Sequence, residues 1–401
     1  MSVALTTPPR RILVRGVNWL GDAVMTTPAL LRLREKFPTA HIALLCPEKL
    51  KDLWLHHPAV DEIIPFAPSD GVWKVSQKLR FGRGPEILYG SQTGFHAGPV
   101  KVPTRFDLAL VLPNSPRSAL EVFFAGITQR IGYARPWRNF FLTQPVASRA
   151  GAVKMQKRTG EEIKALVSQL PTSRIPHLAI PAAAHQTHEY LHLTAAMGAN
   201  PEPLAPQLVV TPAELIAAQR HFLIDDQTKW VGINLGAEYG PAKRWPAEKF
   251  LFMAREIAAW TGGWGVILFG GKSDVATVET IEQEFWSAAS QWKFRPKLVN
   301  VAGRTSLREL MALLKTCRVL LTNDTGPMHV AAALGTPVVV PFGSTSPELT
   351  GPGLPGDARH QLIKSDAPCS PCFLRECPID FRCMKDISTS RVTEAIISAA
   401  K

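Results

Sequence analysis

The chain has 401 residues, room for two domains of ordinary size, and 46% of them are apolar, so it can bury two cores and is not a disordered polymer. No apolar run reaches the roughly 18 residues of a membrane-spanning helix, and residues 1–10 lack the apolar core of a secretory signal, which points to a cytoplasmic protein. Its 45 Lys and Arg against 33 Asp and Glu give a net charge of +12 and call for anionic partners, but the charge is scattered and no helix-turn-helix, zinc-finger or RNA-binding signature occurs, which argues against nucleic acid.

Residues 11–37 read as a strand, a loop bounded by Gly16 and Gly21, and a helix with apolar positions at Val24, Leu30, Leu31 and Leu33. Asp22 stands where a P-loop would need Lys, and no G-x-G-x-x-G is present, so neither an ATPase nor a dinucleotide fold is indicated. At a helix start Asp22 reads most simply as an N-cap; a carboxylate at the mouth of the first strand is equally placed to be a general base. Strands are expected at 41–46, 62–65 and 107–112, the alternation of a parallel sheet. The Gly- and Pro-bearing stretch 68–105, with Lys74, Lys78, Arg80, Arg83, Lys101 and Arg105, breaks that rhythm and reads as an irregular basic flap. Asn114, Ser115 and Arg117 follow the strand at 107–112. Arg130, Arg135 and Arg138 cluster beyond them, either as a solvated surface or as a patch for a phosphorylated partner.

The proline-rich residues 171–207 have the texture of an interdomain connection around one short helix. Beyond them strands are expected at 229–235, 265–269, 298–302, 318–321 and 337–341, each running into a loop with Gly or a polar cluster. Lys243 is a phosphate candidate in the first of those loops. The sharpest stretch is Asn323 to His329, which leaves a strand and enters a helix. There Gly326 admits a diphosphate close to the backbone, while Asp324, Thr325 and His329 offer an acceptor, a hydroxyl and a donor to a sugar or nucleotide. A plain helix cap is the competing reading. Cys369, Cys372, Cys377 and Cys383 crowd into fifteen residues and read as a structural metal site or as buried thiols.

Taken together, Arg15 to Pro28, the Lys243-Arg244-Trp245-Pro246 loop, Asn323 to His329 and the cysteine pattern resemble the bacterial lipopolysaccharide heptosyltransferases of glycosyltransferase family 9, over nearly the whole chain. The resemblance implies an α/β GT-B architecture, two Rossmann-like domains with parallel sheets facing across a cleft: 10–180 for the acceptor, a linker at 181–206, 207–387 for the ADP-sugar, and a helix at 388–401 packing back on the first domain. It implies inverting, metal-independent heptosyl transfer from ADP-heptose to an inner-core lipid acceptor at an anionic inner-membrane surface, without a cofactor. Asp22 is then the expected base and Lys243 the diphosphate ligand, with Asp324, Thr325, Gly326, His329 and Asp274 on the donor. Asn18, Asn114, Ser115, Arg117, Arg135 and Arg138 are expected on the acceptor. Another heptosyltransferase of the family, a relative using a different nucleotide sugar, an epimerase of the same architecture and a non-catalytic nucleotide-binding module are the alternatives.

Overall fold

The computed structural model describes residues 8–81, 105–153, 155–169, 180–354 and 356–401. Arg83 and Lys101 of the expected flap lie outside them. The chain forms two compact units: one of residues 1–152 and 186–209, the other of 153–185 and 210–401.

In the first unit, β1 (Arg11–Arg15) leads into the six-residue α1 (Leu20–Met25) and then α2 (Thr27–Lys36). One helix was expected here and two are found, because Pro28 has no N–H for a continuous ladder and the Thr26 and Thr27 hydroxyls bond back to Ala23 O and Val24 O. β2 (His41–Pro47), β3 (Glu62–Phe66), α3 (Val72–Phe81), β4 (Leu108–Val111), α4 (Pro116–Phe124), β5 (Gln129–Tyr133) and β6 (Gln144–Val146) follow. α3 corrects the reading of 68–105 as irregular throughout: Val75 and Leu79, one helical turn apart, are buried against α4 and hold ten residues in a helix.

α5 (Gly160–Gln169) belongs to the second unit, and α6 (Thr187–Ala196) returns to the first, where it packs on α2. The expected boundaries at 180 and 207 therefore shift, since the chain crosses between units three times, after residues 152, 185 and 209. The second unit continues with α7 (Pro212–His221), β7 (Lys229–Asn234), α8 (Ala247–Ala258), β8 (Trp264–Phe269), α9 (Val275–Ala289), β9 (Lys297–Asn300), α10 (Leu307–Thr316), β10 (Val319–Thr322), α11 (Gly326–Ala333), β11 (Val338–Phe342), the single turn α12 (Pro347–Thr350), β12 (Gln361–Lys364), α13 (Arg382–Lys385) and α14 (Thr389–Ala399). α14 was expected on the first domain. Instead Val392 and Ile396 are fully buried in the second unit's own core, against β11, β12 and α8.

Both sheets are six-stranded and parallel, ordered β3-β2-β1-β4-β5-β6 and β12-β11-β10-β7-β8-β9. Counted from each unit's own first strand, the two orders are the same doubly wound arrangement, whose strand order reverses between the first and fourth strands. Ligands bind in such sheets outside the carboxyl ends of those two strands. The Gly16–Asp22 loop follows β1 and Asn114–Arg117 follow β4; Lys243 follows β7 and Asn323–His329 follow β10. Most of the residues chosen from sequence thus follow the strands at the two reversal points, whereas Asp274 follows β8 and Arg135 and Arg138 follow β5.

Candidate active site

At the reversal point of the second unit the decisive residue is Asn323, which is fully buried although polar. Its carboxamide accepts from Trp245 N at 2.9 Å and donates to Leu235 O at 2.8 Å, tying the loop after β10 to the loop after β7. Trp245 is buried and donates its indole N–H to Ile387 O at 3.1 Å, so the loop carrying Lys243 is pinned from both sides. Gly240 makes that loop possible. Its φ of 152° and the approach of Arg375 O, 2.5 Å from where a Cβ would stand, exclude any other residue.

Held this way, Lys243 Nζ reaches Asp324 Oδ2 at 2.6 Å, and the same oxygen accepts from Thr345 Oγ1 at 2.6 Å. The cap reading of the heptapeptide does not survive this geometry. Asp324 precedes α11 and spends its carboxylate on Lys243 and Thr345, and Thr325, which occupies the N-cap position in extended conformation, makes no side-chain cap bond. Pro327 has no N–H and Met328 N donates to Thr325 O, so the Gly326 N–H is what the helix start offers an anion, with an ammonium group nearby. His329 is buried on the first turn of α11, and burial pushes its imidazole down to about 4, so it is neutral near pH 7 and able to donate from one nitrogen and accept at the other. A cavity of about 710 Å³, lined among others by Thr345, Ser346, Phe342 and Phe373, opens beside this loop.

Asp274, expected on the donor ribose, is buried and busy: Oδ2 accepts from Gly271 N at 3.0 Å and Oδ1 from Arg244 Nη2 at 3.2 Å. A Cβ on Gly236 would stand 2.4 Å from its Oδ2, so the carboxylate fixes the loop after β7.

In the first unit Asp22 is the third residue of α1, whose N-cap is Trp19, so the N-cap reading is corrected. Its Oδ1 accepts from Gln186 Nε2 at 3.3 Å. The loop before it is set by Arg15, buried in a pair with fully buried Glu121 at 2.8 Å and donating onward to Gly16 O and to Asn18 Oδ1 at 3.2 Å. The other acceptor candidates divide. Ser115 is the N-cap of α4, accepting from Ser118 N; Arg117 bonds Glu121 and Asp70 O. Asn114 Oδ1 accepts from Arg138 Nη1 at 3.4 Å, and Arg135 donates to Ser148 Oγ at 2.8 Å. Arg138 was expected in an exposed patch and is 0% exposed, its guanidinium lowered to about 10 by burial and donating to Pro113 O. Through Nη1 it braces the loop after β4.

The four clustered thiols are free, three of them buried and Cys377 half-buried, and burial pushes Cys383 up to about 12. Among the described residues no group of three or more His, Cys, Asp or Glu is arranged to hold a metal ion. Cys369, Cys372 and Cys383 pack in the second unit's core, as the buried-thiol reading has it, while Cys377 Sγ accepts from Phe381 N. Sequence reasoning missed Gln186 and Thr345, whose partners are 164 and 21 residues away in the chain and which no local motif marks.

Two Rossmann-like units, each with polar side chains at its reversal point and one with a helix start and lysine suited to a diphosphate, define a GT-B enzyme. The chain belongs to glycosyltransferase family 9 (heptosyltransferase), whose model matches residues 102–381. It is 31% identical over 373 residues to lipopolysaccharide heptosyltransferase 2 of Escherichia coli K12, covering 89% of this chain and 91% of that protein. It is likewise 31% identical to the Salmonella typhimurium protein of the same name, over 85% of each chain. The solved structure of E. coli ADP-heptose LPS heptosyltransferase II superposes with a TM-score of 0.70 at 26% identity, covering 97% of this chain and 98% of that one.

Proposed function

We propose that the chain transfers L-glycero-D-manno-heptose from ADP-heptose to a heptose of the lipopolysaccharide inner core, with inversion at the anomeric carbon. The observation that carries this reading is the Lys243–Asp324–Thr345 cluster at the start of α11, where no side chain caps the helix, a site suited to a sugar diphosphate. Relatives named heptosyltransferase 2 at 31% identity support the type of transfer over that of a protein named heptosyltransferase 1, which is 24% identical.

In this reading the acceptor hydroxyl gives its proton to Asp22 as its oxygen attacks the anomeric carbon, and ADP leaves from the opposite face carrying the bond's electrons. Lys243 and the Gly326 N–H at the start of α11 take up the charge that develops on the departing diphosphate, with no metal ion or cofactor in the step. Asp324 accepts from sugar hydroxyls, and His329 reaches a phosphate or sugar oxygen. The test is ADP release in the presence of inner-core acceptors truncated one sugar at a time. Turnover is expected only when an acceptor heptose is present; equal turnover without acceptor would overturn transfer and favour an epimerase-like or hydrolytic use of the donor.

The lipid part of such an acceptor lies in a membrane, and no helix among the described residues is long and apolar enough to cross one. We place the contact on α3 and α4. Trp73 (63% exposed) meets Phe124 edge-on, Phe124 meets Phe123, and Arg130 lies over the Phe123 ring, with Phe81 and Arg80 at the end of α3. Exposed aromatics beside Lys and Arg suit an anionic bilayer surface. Lys74 and Lys78 contribute less than their number suggests, since both pair with Asp70, which they hold far below the usual carboxylate range. Sedimentation with vesicles containing an anionic phospholipid should weaken with salt and weaken further in Trp73→Ser; binding unaffected by either would remove this face.

A further inference from the structure

The base assigned to Asp22 has a neighbour that the heptosyl reaction itself does not call for. Gln186 stands at the N-cap of α6 and Tyr190 one turn later on the same face. The Gln186 Nε2 donates to Asp22 Oδ1 at 3.3 Å and to Tyr190 Oη at 2.8 Å. A carboxamide nitrogen has two hydrogens, so both bonds can be made at once, and each fixes the direction of the other.

The support behind this arrangement is stiff. Tyr190 is buried, and burial raises its phenol well above the ordinary value, so it stays protonated and its oxygen is an acceptor across the working pH range. The acidic neighbour Glu189 is taken by Arg149 at 3.1 Å, and its carbonyl accepts from Tyr133 Oη at 2.7 Å. α6 packs on α2, which follows α1 after a single residue, so the amide and the carboxylate are mounted on helices of one packed group.

We infer that Gln186 is a positioning residue for Asp22: its amide holds one carboxylate oxygen in a fixed direction, setting the rotamer from which Asp22 takes the acceptor proton. The inference rests on the reading of Asp22 as the base. An amide suits the task better than most side chains. It donates without a net charge, so it orients the carboxylate without forming the tight ion pair that a lysine would, and it does not titrate.

The experiment compares Asp22→Asn, Gln186→Met and Gln186→Glu as full-length proteins, measuring kcat, donor KM, melting temperature and the pH profile of ADP release. Gln186→Met keeps the volume and removes the donor. It should lower kcat roughly 10-fold through misplacement of the base, leave donor KM unchanged, and move the acidic limb of the profile about half a unit to one unit upward, because a hydrogen bond that favours the ionised carboxylate is gone. Gln186→Glu places a second carboxylate beside the first and should move that limb further upward. A Gln186→Met enzyme with wild-type kcat and an unmoved limb, alongside an inactive Asp22→Asn, would overturn the inference alone. An active Asp22→Asn would instead sink the base assignment on which it stands. Parallel loss of kcat, donor KM and melting temperature in Gln186→Met, with no shift of the limb, would assign Gln186 to folding and also overturn the inference.

Discussion

Asp22→Asn is expected to lower kcat by ~10²-fold or more while the melting temperature stays within a few degrees of wild type. The two halves of this expectation rest on different facts. Asp22 is not the N-cap of α1, so no capping bond is lost, and its charge in the first helical turn is worth at most ~1 kcal/mol to a six-residue helix. Asparagine is isosteric and can still place an oxygen opposite Gln186, so packing is kept. What it cannot do is accept a proton. Removing a general base from a displacement whose nucleophile is a sugar hydroxyl leaves only solvent to take that proton. Donor affinity should be unaffected, because the donor cluster belongs to the other unit. Single-turnover ADP release with saturating acceptor measures the effect on chemistry; a rate close to wild type would take Asp22 out of the mechanism.

How much of this was legible beforehand can be seen from particular residues. The strands buried on both faces carry unbroken apolar or β-branched runs, such as Ile12–Val14 in β1 and Val319–Thr322 in β10, and could be placed from sequence. β5, β6 and β12 were not, and the reason is physical. β6 is a three-residue edge strand containing Pro145, β12 is an edge strand of four residues with Lys364 exposed, and β5 begins with Gln129 and Arg130 and buries only Ile131 to Tyr133, so none carries a long apolar run. The site followed the same division. Residues in the turns after β1, β7 and β10 could be named because strand-end loops with Gly and polar residues mark ligand contacts in this topology. Their working partners could not. Gln186 reaches Asp22 only after α6 has docked on α2, and Arg138 looked like surface until the loop after β4 closed over it.

The donor cluster makes a second large forecast. Asp324→Ala and Lys243→Ala should each weaken binding of ADP-heptose by roughly 1.5–3 kcal/mol, the range for hydrogen bonds to charged groups, or about 10- to 150-fold in Kd. The two should differ in their effect on stability. Lys243 and Asp324 are both largely buried, so Asp324→Ala strands an ammonium group that has lost its carboxylate and leaves Thr345 without its acceptor. It should lower the melting temperature more than Lys243→Ala does, because Asp324 in the latter still accepts from Thr345. Binding should also separate them with respect to ligand. Lys243→Ala should weaken ADP alone about as much as the full donor, since the lysine answers the diphosphate, whereas Asp324→Ala should weaken ADP-heptose more than ADP, since a carboxylate repels phosphate and is suited to sugar hydroxyls. Calorimetric titration of ADP and of a non-hydrolysable ADP-heptose mimic into each folded variant measures all four affinities. Unaltered donor affinity in both variants would move the donor site away from the start of α11, and an equal loss for ADP and ADP-heptose in Asp324→Ala would reassign that carboxylate from the sugar to the placement of Lys243.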